Sequence, residues 1–330
     1  MKLFTVSTIA FFFISIRGVL GFRHVPSLVR MQVFSACQTK PVLRSRLQMV
    51  DDAEEGEEVV DDSSLGVSPD IIEGRKQRVR TGYQLMTVAY GLYGILLIPA
   101  QAPIPNVAGP FLTAGISYLL MGAAENNRLS SDTYKRLNLA LMGYGALTFL
   151  SGILGGQLGL LWLVTRFLAV LTSLQGYGYG LWGWDLSTNG SSAKEDIWKG
   201  VKSSIQSMQQ IPQTPTLVGY WAATIVMEGL KLQKLFELLK SPSGYNLFPF
   251  ARLLVMTMTL FTLKDAADRN RLEGTTFVAL NYMTSLSLAA WAAAAASFRL
   301  PLRGVFAAIS ILTAYNGISS MKRKLATTKE

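Results

Sequence analysis

Eight long apolar segments dominate the sequence and constrain the fold more than any other feature. Each has roughly the 20 residues that a helix needs to cross about 30 Å of hydrocarbon. Half of the 330 residues are hydrophobic and 16% are charged, whereas a soluble domain carries about 25% charged residues. The sequence therefore predicts an all-α, polytopic membrane helix bundle. The expected spans lie near residues 82–100, 107–124, 137–154, 158–182, 215–235, 246–264, 275–297 and 302–318.

An internal repeat divides these segments into two groups of four. Ala124–Asn138 recurs 143 positions later as Ala267–Asn281, with seven identities in fifteen positions. Unrelated segments would share about one position in fifteen. Two shorter matches accompany it: Leu171–Gly176 with Leu312–Gly317, and Gly82-Tyr83 with Gly219-Tyr220. This self-similarity predicts two tandem copies of one four-helix unit.

The repeat also predicts how the chain is divided. The first unit covers residues 75–190 and the second covers 213–322, followed by a basic tail at 323–330. Because each unit has an even number of helices, the copies should be parallel and related by a pseudo-two-fold axis along the membrane normal. Residues 191–212 between them predict an amphipathic helix in the membrane interface, opened by a capping box of Ser192 and Glu195.

The distribution of cations predicts the topology. With eight spans, 17 of the Lys and Arg residues after Ser63 fall in segments on one side of the membrane and six on the other. An excess of cations marks the side that is not translocated. Both mature termini are therefore expected on the same, basic side.

The N-terminal region has the composition of targeting segments. Residues 1–21 predict a signal peptide with a fourteen-residue apolar core, and residues 22–49 are basic, hydroxylated and free of acids. A signal followed by Gly21-Phe22 and an acid-free tail resembles the bipartite plastid-targeting presequence of diatom and other heterokont preproteins. The resemblance implies a plastid membrane, thylakoid or envelope, with stromal termini; the alternative is a secretory-pathway membrane. Residues 50–74 predict an acidic disordered linker.

Two residue types are confined to the segment expected to be removed. His24 is the only histidine and Cys37 the only cysteine. The mature chain would then lack imidazole and thiol groups, which excludes disulfides, His or Cys metal sites and Ser-His hydrolysis. We therefore expect no enzymatic activity, no catalytic or metal-binding residues and no cofactor. A soluble basic domain that could bind nucleic acid is also missing from the sequence.

A few polar residues inside the apolar segments are candidates for function. Arg166, Gln175, Glu228 and Asn316 are hypothesised to line a polar path between the two units, because ionisable groups in lipid are costly. The alternative is structural: Arg166 pairs within the bundle, Glu228 and Lys231 reach the interface, and the amides join helices. The repeated motif is interpreted as structural, its members satisfying or bridging helix ends. It consists of Asn127, Arg128, Asn138, Asn270, Arg271 and Asn281.

Two functions remain open at this level. The first is a non-enzymatic plastid membrane protein that assembles, anchors or stabilises a membrane complex, with the lipid bilayer, a membrane protein or a second copy as partner. The alternative is a small-solute transporter or channel with its site at the interface of the two repeats, since duplicated units are common in transporters.

Overall fold

The chain folds into a bundle of α-helices. The computed structural model describes residues 69–327 except 101, 103, 157–158, 183–191, 211, 242 and 295–299. The predicted signal peptide, the transit-like segment and residues 50–68 of the acidic linker lie outside this part. Within it every regular element is helical: α1 Pro69–Leu96, α2 Ile104–Glu125, α3 Asp132–Gly155, α4 Leu160–Trp182, α5 Ala193–Gln209, α6 Pro215–Lys240, α7 Gly244–Asp268, α8 Thr275–Ala294 and α9 Leu300–Thr327.

The membrane character of the bundle is confirmed. Six helices, α2, α3, α4, α7, α8 and α9, are long and apolar enough to cross a bilayer. Large apolar side chains cover much of the outside; Leu160, Leu239 and Ile311 are each more than two-thirds exposed. In water such an exposed apolar surface would favour aggregation, whereas in a bilayer it contacts the lipid acyl chains. The protein is therefore an integral membrane protein.

The helices differ from the predicted spans mainly at their ends. α1 begins at Pro69 and ends at Leu96, so residues 69–74 are helical where the sequence predicted a disordered linker. α9 continues to Thr327, nine residues past its predicted end. Charged residues at these ends carry no apolar signal, yet a helix can continue beyond the hydrocarbon because its backbone bonds are satisfied internally.

The two predicted units pack in a matching order. α1 packs on α2, and α3 packs on α4; in the second half, α6 packs on α7, and α8 on α9. Contact between the halves is made by α3 against α7 and by α2 against α8. At the repeat offsets, α2 corresponds to α7 and α3 corresponds to α8. The contact of α3 with α7 is therefore the equivalent, with the two halves exchanged, of the contact of α8 with α2.

Sequence signals explain how several helices begin. The Thr214 hydroxyl accepts a hydrogen bond from the amide of Leu217, and Pro215 occupies the first turn of α6. Ser243 caps α7 in the same way. The predicted cap at Ser192 is confirmed, since its side chain accepts from the amide of Glu195. These hydroxyls satisfy amides that the first turn of a helix leaves free.

The repeated motif ends α2 and α7 with the same backbone structure. Asn127 and Asn270 both have φ of 55°, a left-handed conformation that asparagine tolerates better than most residues. The next amides, of Arg128 and Arg271, donate to carbonyls five residues earlier at 2.8 and 2.7 Å. This is the Schellman arrangement, which satisfies the last carbonyls of a helix.

Candidate functional site

Arg166 lies in the interior of the bundle, surrounded by aromatic rings. It is the seventh residue of α4 and is fully buried. Its Nη1 donates a hydrogen bond to the Thr165 hydroxyl at 2.9 Å. Its Cζ lies 4.8 to 5.7 Å from four ring centroids, those of Tyr90 and Tyr93 of α1, Tyr144 of α3 and Trp162 of α4.

A second arginine, Arg252 of α7, completes this group. Its Nη2 donates to Asn106 of α2 at 2.7 Å, and its Cζ lies 4.0 Å from the ring centroid of Phe248. A Cβ added at Gly109 of α2 would lie 3.7 Å from both the Nε of Arg252 and the Tyr144 hydroxyl, so Arg252 lies close to a tyrosine whose ring Arg166 also contacts. We call Arg166, Arg252 and the surrounding Tyr90, Tyr93, Asn106, Tyr144 and Trp162 the arginine cluster.

The arginine cluster has more donors than acceptors. The Nε and Nη2 groups of Arg166, the Nε of Arg252 and the hydroxyls of Tyr90 and Tyr144 are buried and make no hydrogen bond of normal geometry in the described part of the chain. The Tyr90 hydroxyl is a nearby acceptor for Arg166 but carries no negative charge. No carboxylate of the described residues pairs with either guanidinium. Buried polar groups are usually satisfied, so this concentration of free donors is exceptional.

At the opposite end of the bundle, buried cations are paired with carboxylates, unlike those of the arginine cluster. Here Arg136 of α3 donates to the Asp265 carboxylate of α7 at 2.9 Å, and its Cζ lies 4.9 Å from the Phe261 centroid. Lys264 is 1% exposed; its Nζ donates to Asp268 and to the Ser207 hydroxyl, the latter at 2.7 Å. Each buried cation at this end therefore has its own carboxylate.

These pairs also hold α5 against both halves of the bundle. Near its start, Asp196 accepts hydrogen bonds from Lys135 and from the Tyr177 hydroxyl, each at 2.8 Å. Near its end, Ser207 contacts Lys264, and the Met208 carbonyl accepts from the indole of Trp221 at 3.0 Å. The apolar side faces outward: Ile197, Trp198, Val201 and Ile205 are exposed. This agrees with the predicted interfacial amphipathic helix.

The four residues of the predicted polar path lie in different surroundings. Arg166 belongs to the arginine cluster, whereas Gln175 of the same helix is exposed. Glu228 is partly exposed and pairs with Lys231 at 2.6 Å. Asn316 is buried beside Tyr220. The described contacts do not join any of these four side chains to another.

Asn138 and Asn281, the last residues of the two copies of the motif, bridge helices rather than cap them. Asn138 accepts a hydrogen bond from the Tyr83 hydroxyl at 2.5 Å. Asn281 accepts one from the Tyr220 hydroxyl at the same distance. All four side chains are fully buried. Tyr83 and Tyr220 belong to the short Gly-Tyr match, and Asn138 and Asn281 belong to the fifteen-residue motif. The two matched segments are therefore hydrogen-bonded to each other in each half.

Sequence reasoning missed most of the arginine cluster. The sequence analysis counts Arg252 among the six cations on the less basic side of the membrane, although its position inside the apolar segment 246–264 is a signal for a buried charge. Tyr90, Tyr93 and Tyr144 carry no such signal, because aromatic residues are common in spanning helices. Their convergence depends on how α1, α3, α4 and α7 pack, which one helix at a time does not reveal.

Comparisons with known proteins and a search for metal sites provide no further assignment. No family model, curated protein or solved structure matches this chain. Within the described ranges, no group of three or more His, Cys, Asp or Glu side chains could hold a metal ion. The geometry must therefore carry the functional argument.

Proposed function

We propose that this is a non-enzymatic membrane protein that assembles, anchors or stabilises a membrane complex in a plastid. The observation that carries the proposal is the use of charge at one end of the bundle. Arg136 and Lys135 of α3 pair with carboxylates on α7 and α5. Lys264 pairs with Asp268 of its own helix and donates to Ser207 of α5. Pairs between helices fix those helices relative to one another.

We further propose that eight helices cross the membrane as two copies of one four-helix unit. α1 and α6 would be the seventh and eighth spans. Both have rows of exposed apolar side chains, including Leu85 and Leu92 on α1 and Val218 and Phe236 on α6. The matching Tyr–Asn hydrogen bonds and the matching left-handed asparagines support the duplication, because unrelated bundles would not repeat them at corresponding positions.

Cysteine labelling can test this topology directly. The only natural cysteine is Cys37, which lies in the segment expected to be removed. Single substitutions Gln213→Cys and Ser241→Cys flank α6 at exposed positions. A membrane-impermeant maleimide should label them from opposite sides of sealed vesicles. Labelling from the same side would exclude α6 as a span, and Glu73→Cys with Ala100→Cys provides the matched pair for α1.

Location and partners need separate experiments. A fluorescent fusion of residues 1–49 in a plastid-bearing cell should enter the plastid; retention in the secretory pathway would remove the plastid assignment. Affinity capture of the tagged protein in mild detergent should recover membrane-protein partners in stoichiometric amounts. Recovery of only a monomer or a self-dimer would contradict a role in complex assembly.

The second candidate function, a small-solute transporter, is favoured by the position of the arginine cluster. Arg166 comes from the first half and Arg252 from the second, so the cluster lies where transporters built from repeats bind their substrates. Uptake of anions into proteoliposomes would test it. Arg166→Gln should abolish such uptake, whereas Glu228→Gln, which lies outside the cluster, should leave it unchanged.

A further inference from the structure

The arginine cluster holds two positive charges that no carboxylate of the described residues balances. A buried guanidinium without a counter-charge is costly, and in real proteins the effective penalty is several kcal/mol per ion. Here two of them lie close to the same tyrosine, Tyr144. Arginine cannot avoid the cost by losing its proton, because it stays charged in proteins. The cluster therefore calls for a negative charge from outside the described chain.

The aromatic rings relieve only part of this cost. A guanidinium over a ring is attracted by the ring quadrupole, and Arg166 has four such rings. A ring face does not replace an oxygen lone pair as acceptor for an N–H group. The Nε and Nη2 groups of Arg166 therefore remain available for an oxygen acceptor.

The side chains at the edge of the cluster are less buried than its centre. Arg166 is fully buried, but Arg252, Tyr93, Asn106 and Trp162 are only partly buried. Arg166 is the seventh residue of α4, which places it about 10 Å along the helix from its start at 1.5 Å per residue. That depth corresponds to the boundary between headgroups and acyl chains, about 5–10 Å into the interface. A polar group held there would reach the unpartnered donors past the partly buried side chains, because the donor atoms themselves are closed off from solvent.

We propose that the arginine cluster binds a phosphate group, carried by a lipid headgroup or by a small solute. Guanidinium groups match phosphate oxygens with paired N–H donors. Two cations and the Tyr144 hydroxyl offer more donors than the two oxygens of a carboxylate can use. Asn106 positions Arg252 by accepting its Nη2 hydrogen bond, and the Nε of Arg252 is left without a partner among the described residues.

The second half of the chain supports a specific role for the cluster. At the repeat offsets, Arg166 corresponds to Ala307 (166 plus 141), Tyr144 to Ser287 (144 plus 143) and Arg252 to Gly109 (252 minus 143). The Tyr–Asn bridge occurs in both halves, whereas the arginine cluster occurs in one. A feature needed only to fold the unit would be expected twice. The inference goes beyond either proposed function, because a bound phosphate fits a stabilising lipid as well as a transported solute.

The test uses the full mature protein in nanodiscs of neutral lipid. One arm titrates inorganic phosphate against chloride at equal ionic strength and measures bound radiolabelled phosphate. The other adds phosphatidylglycerol or a neutral galactolipid and measures retained lipid by native mass spectrometry. Saturable phosphate binding indicates a solute site, and selective retention of phosphatidylglycerol indicates a headgroup site. Either result is expected to weaken at least tenfold in Arg166→Gln and in Arg252→Gln.

The control is Arg303→Gln, which removes an exposed cation from the same end of the bundle. It should bind as the wild type does. If the wild-type protein binds neither probe above the neutral controls, the proposal is wrong. That result requires no variant, so a folding defect in a cluster mutant cannot obscure it. Equal binding by wild type and both glutamine variants would also overturn the proposal.

Discussion

Arg136 and Arg166 are both buried guanidinium groups, but the protein treats them in opposite ways. Arg136 has a carboxylate at 2.9 Å and one ring beneath it. Arg166 has four rings and, among the described residues, no carboxylate. The difference shows that burial of an ionisable group does not define its role. A buried cation with a carboxylate partner in the chain holds helices together, whereas a buried cation without one is available to bind a negatively charged ligand.

The largest expected effect is at the complete pair. Asp265→Ala would leave Arg136 buried without its partner, and breaking such a pair costs about 3–5 kcal/mol. Denaturant unfolding in detergent should show this loss. The matched control is Asp132→Ala, which removes an exposed carboxylate 4.0 Å from Arg269 and should cost less than about 1 kcal/mol. Equal losses for the two variants would contradict the structural role of Asp265.

Removing the unpaired cation Arg166 should not lower the free energy of unfolding. Arg166→Leu removes an uncompensated buried cation, and hydrophobic replacement of buried charges is often neutral or stabilising by about 1–4 kcal/mol. In ligand-free protein we expect stability to be unchanged or higher, since the lost cation–π contacts offset part of the gain. The same unfolding measurement checks this. A loss as large as that of Asp265→Ala would show that Arg166 is a structural residue.

A smaller effect is expected where the complete pairs hold α5. Asp196→Asn weakens the contacts to Lys135 and Tyr177, and a charged hydrogen bond contributes about 1.5–3 kcal/mol. The amides of α5 should then exchange with deuterium faster, while those of α3 remain protected. Lys199→Gln, an exposed change on the same helix, is the control. Unchanged exchange in Asp196→Asn would mean that α5 is held by other contacts.

The smallest effect concerns the feature shared by both halves. Tyr83→Phe and Tyr220→Phe each remove one hydroxyl from an equivalent buried bridge. Each should cost about 1 kcal/mol, the net value of a typical hydrogen bond, and the two costs should agree. Thermal unfolding of the two variants tests the duplicated unit. A loss in only one of them would show that the bridges are not equivalent in energy.

The sequence was sufficient for the helices but not for the arrangement of charges. Apolar length predicted every spanning helix of the described part, and the repeated motif marked where α2 and α7 end. The motif worked because the Schellman turn is local: Asn127 and its hydrogen bonds lie within six residues. The ends of α1 and α9 were missed because a helix can extend into water without an apolar signal.

Charge pairing was harder to predict because it depends on helix rotation and neighbours. Gln175 and Asn316 match in the repeat, yet one is exposed and the other buried. Arg252 and Arg166 are 86 positions apart (252 minus 166), and they come near each other because α7 and α4 both pack on α3. Lys264 and Asp268, by contrast, are spaced for one helix face, which local reasoning can recognise.

The most direct test of the difference between the two ends is the effect of phosphate on thermal unfolding. Wild type, Asp265→Ala and Arg166→Leu would be compared in neutral nanodiscs, with and without phosphate or phosphatidylglycerol, at constant ionic strength. The account predicts that Asp265→Ala is destabilised but still gains stability from one of these probes, as the wild type does. It predicts that Arg166→Leu keeps its stability and gains nothing. If neither probe stabilises the wild type, or if Arg166→Leu gains as much as the wild type, the assignment of the arginine cluster is contradicted.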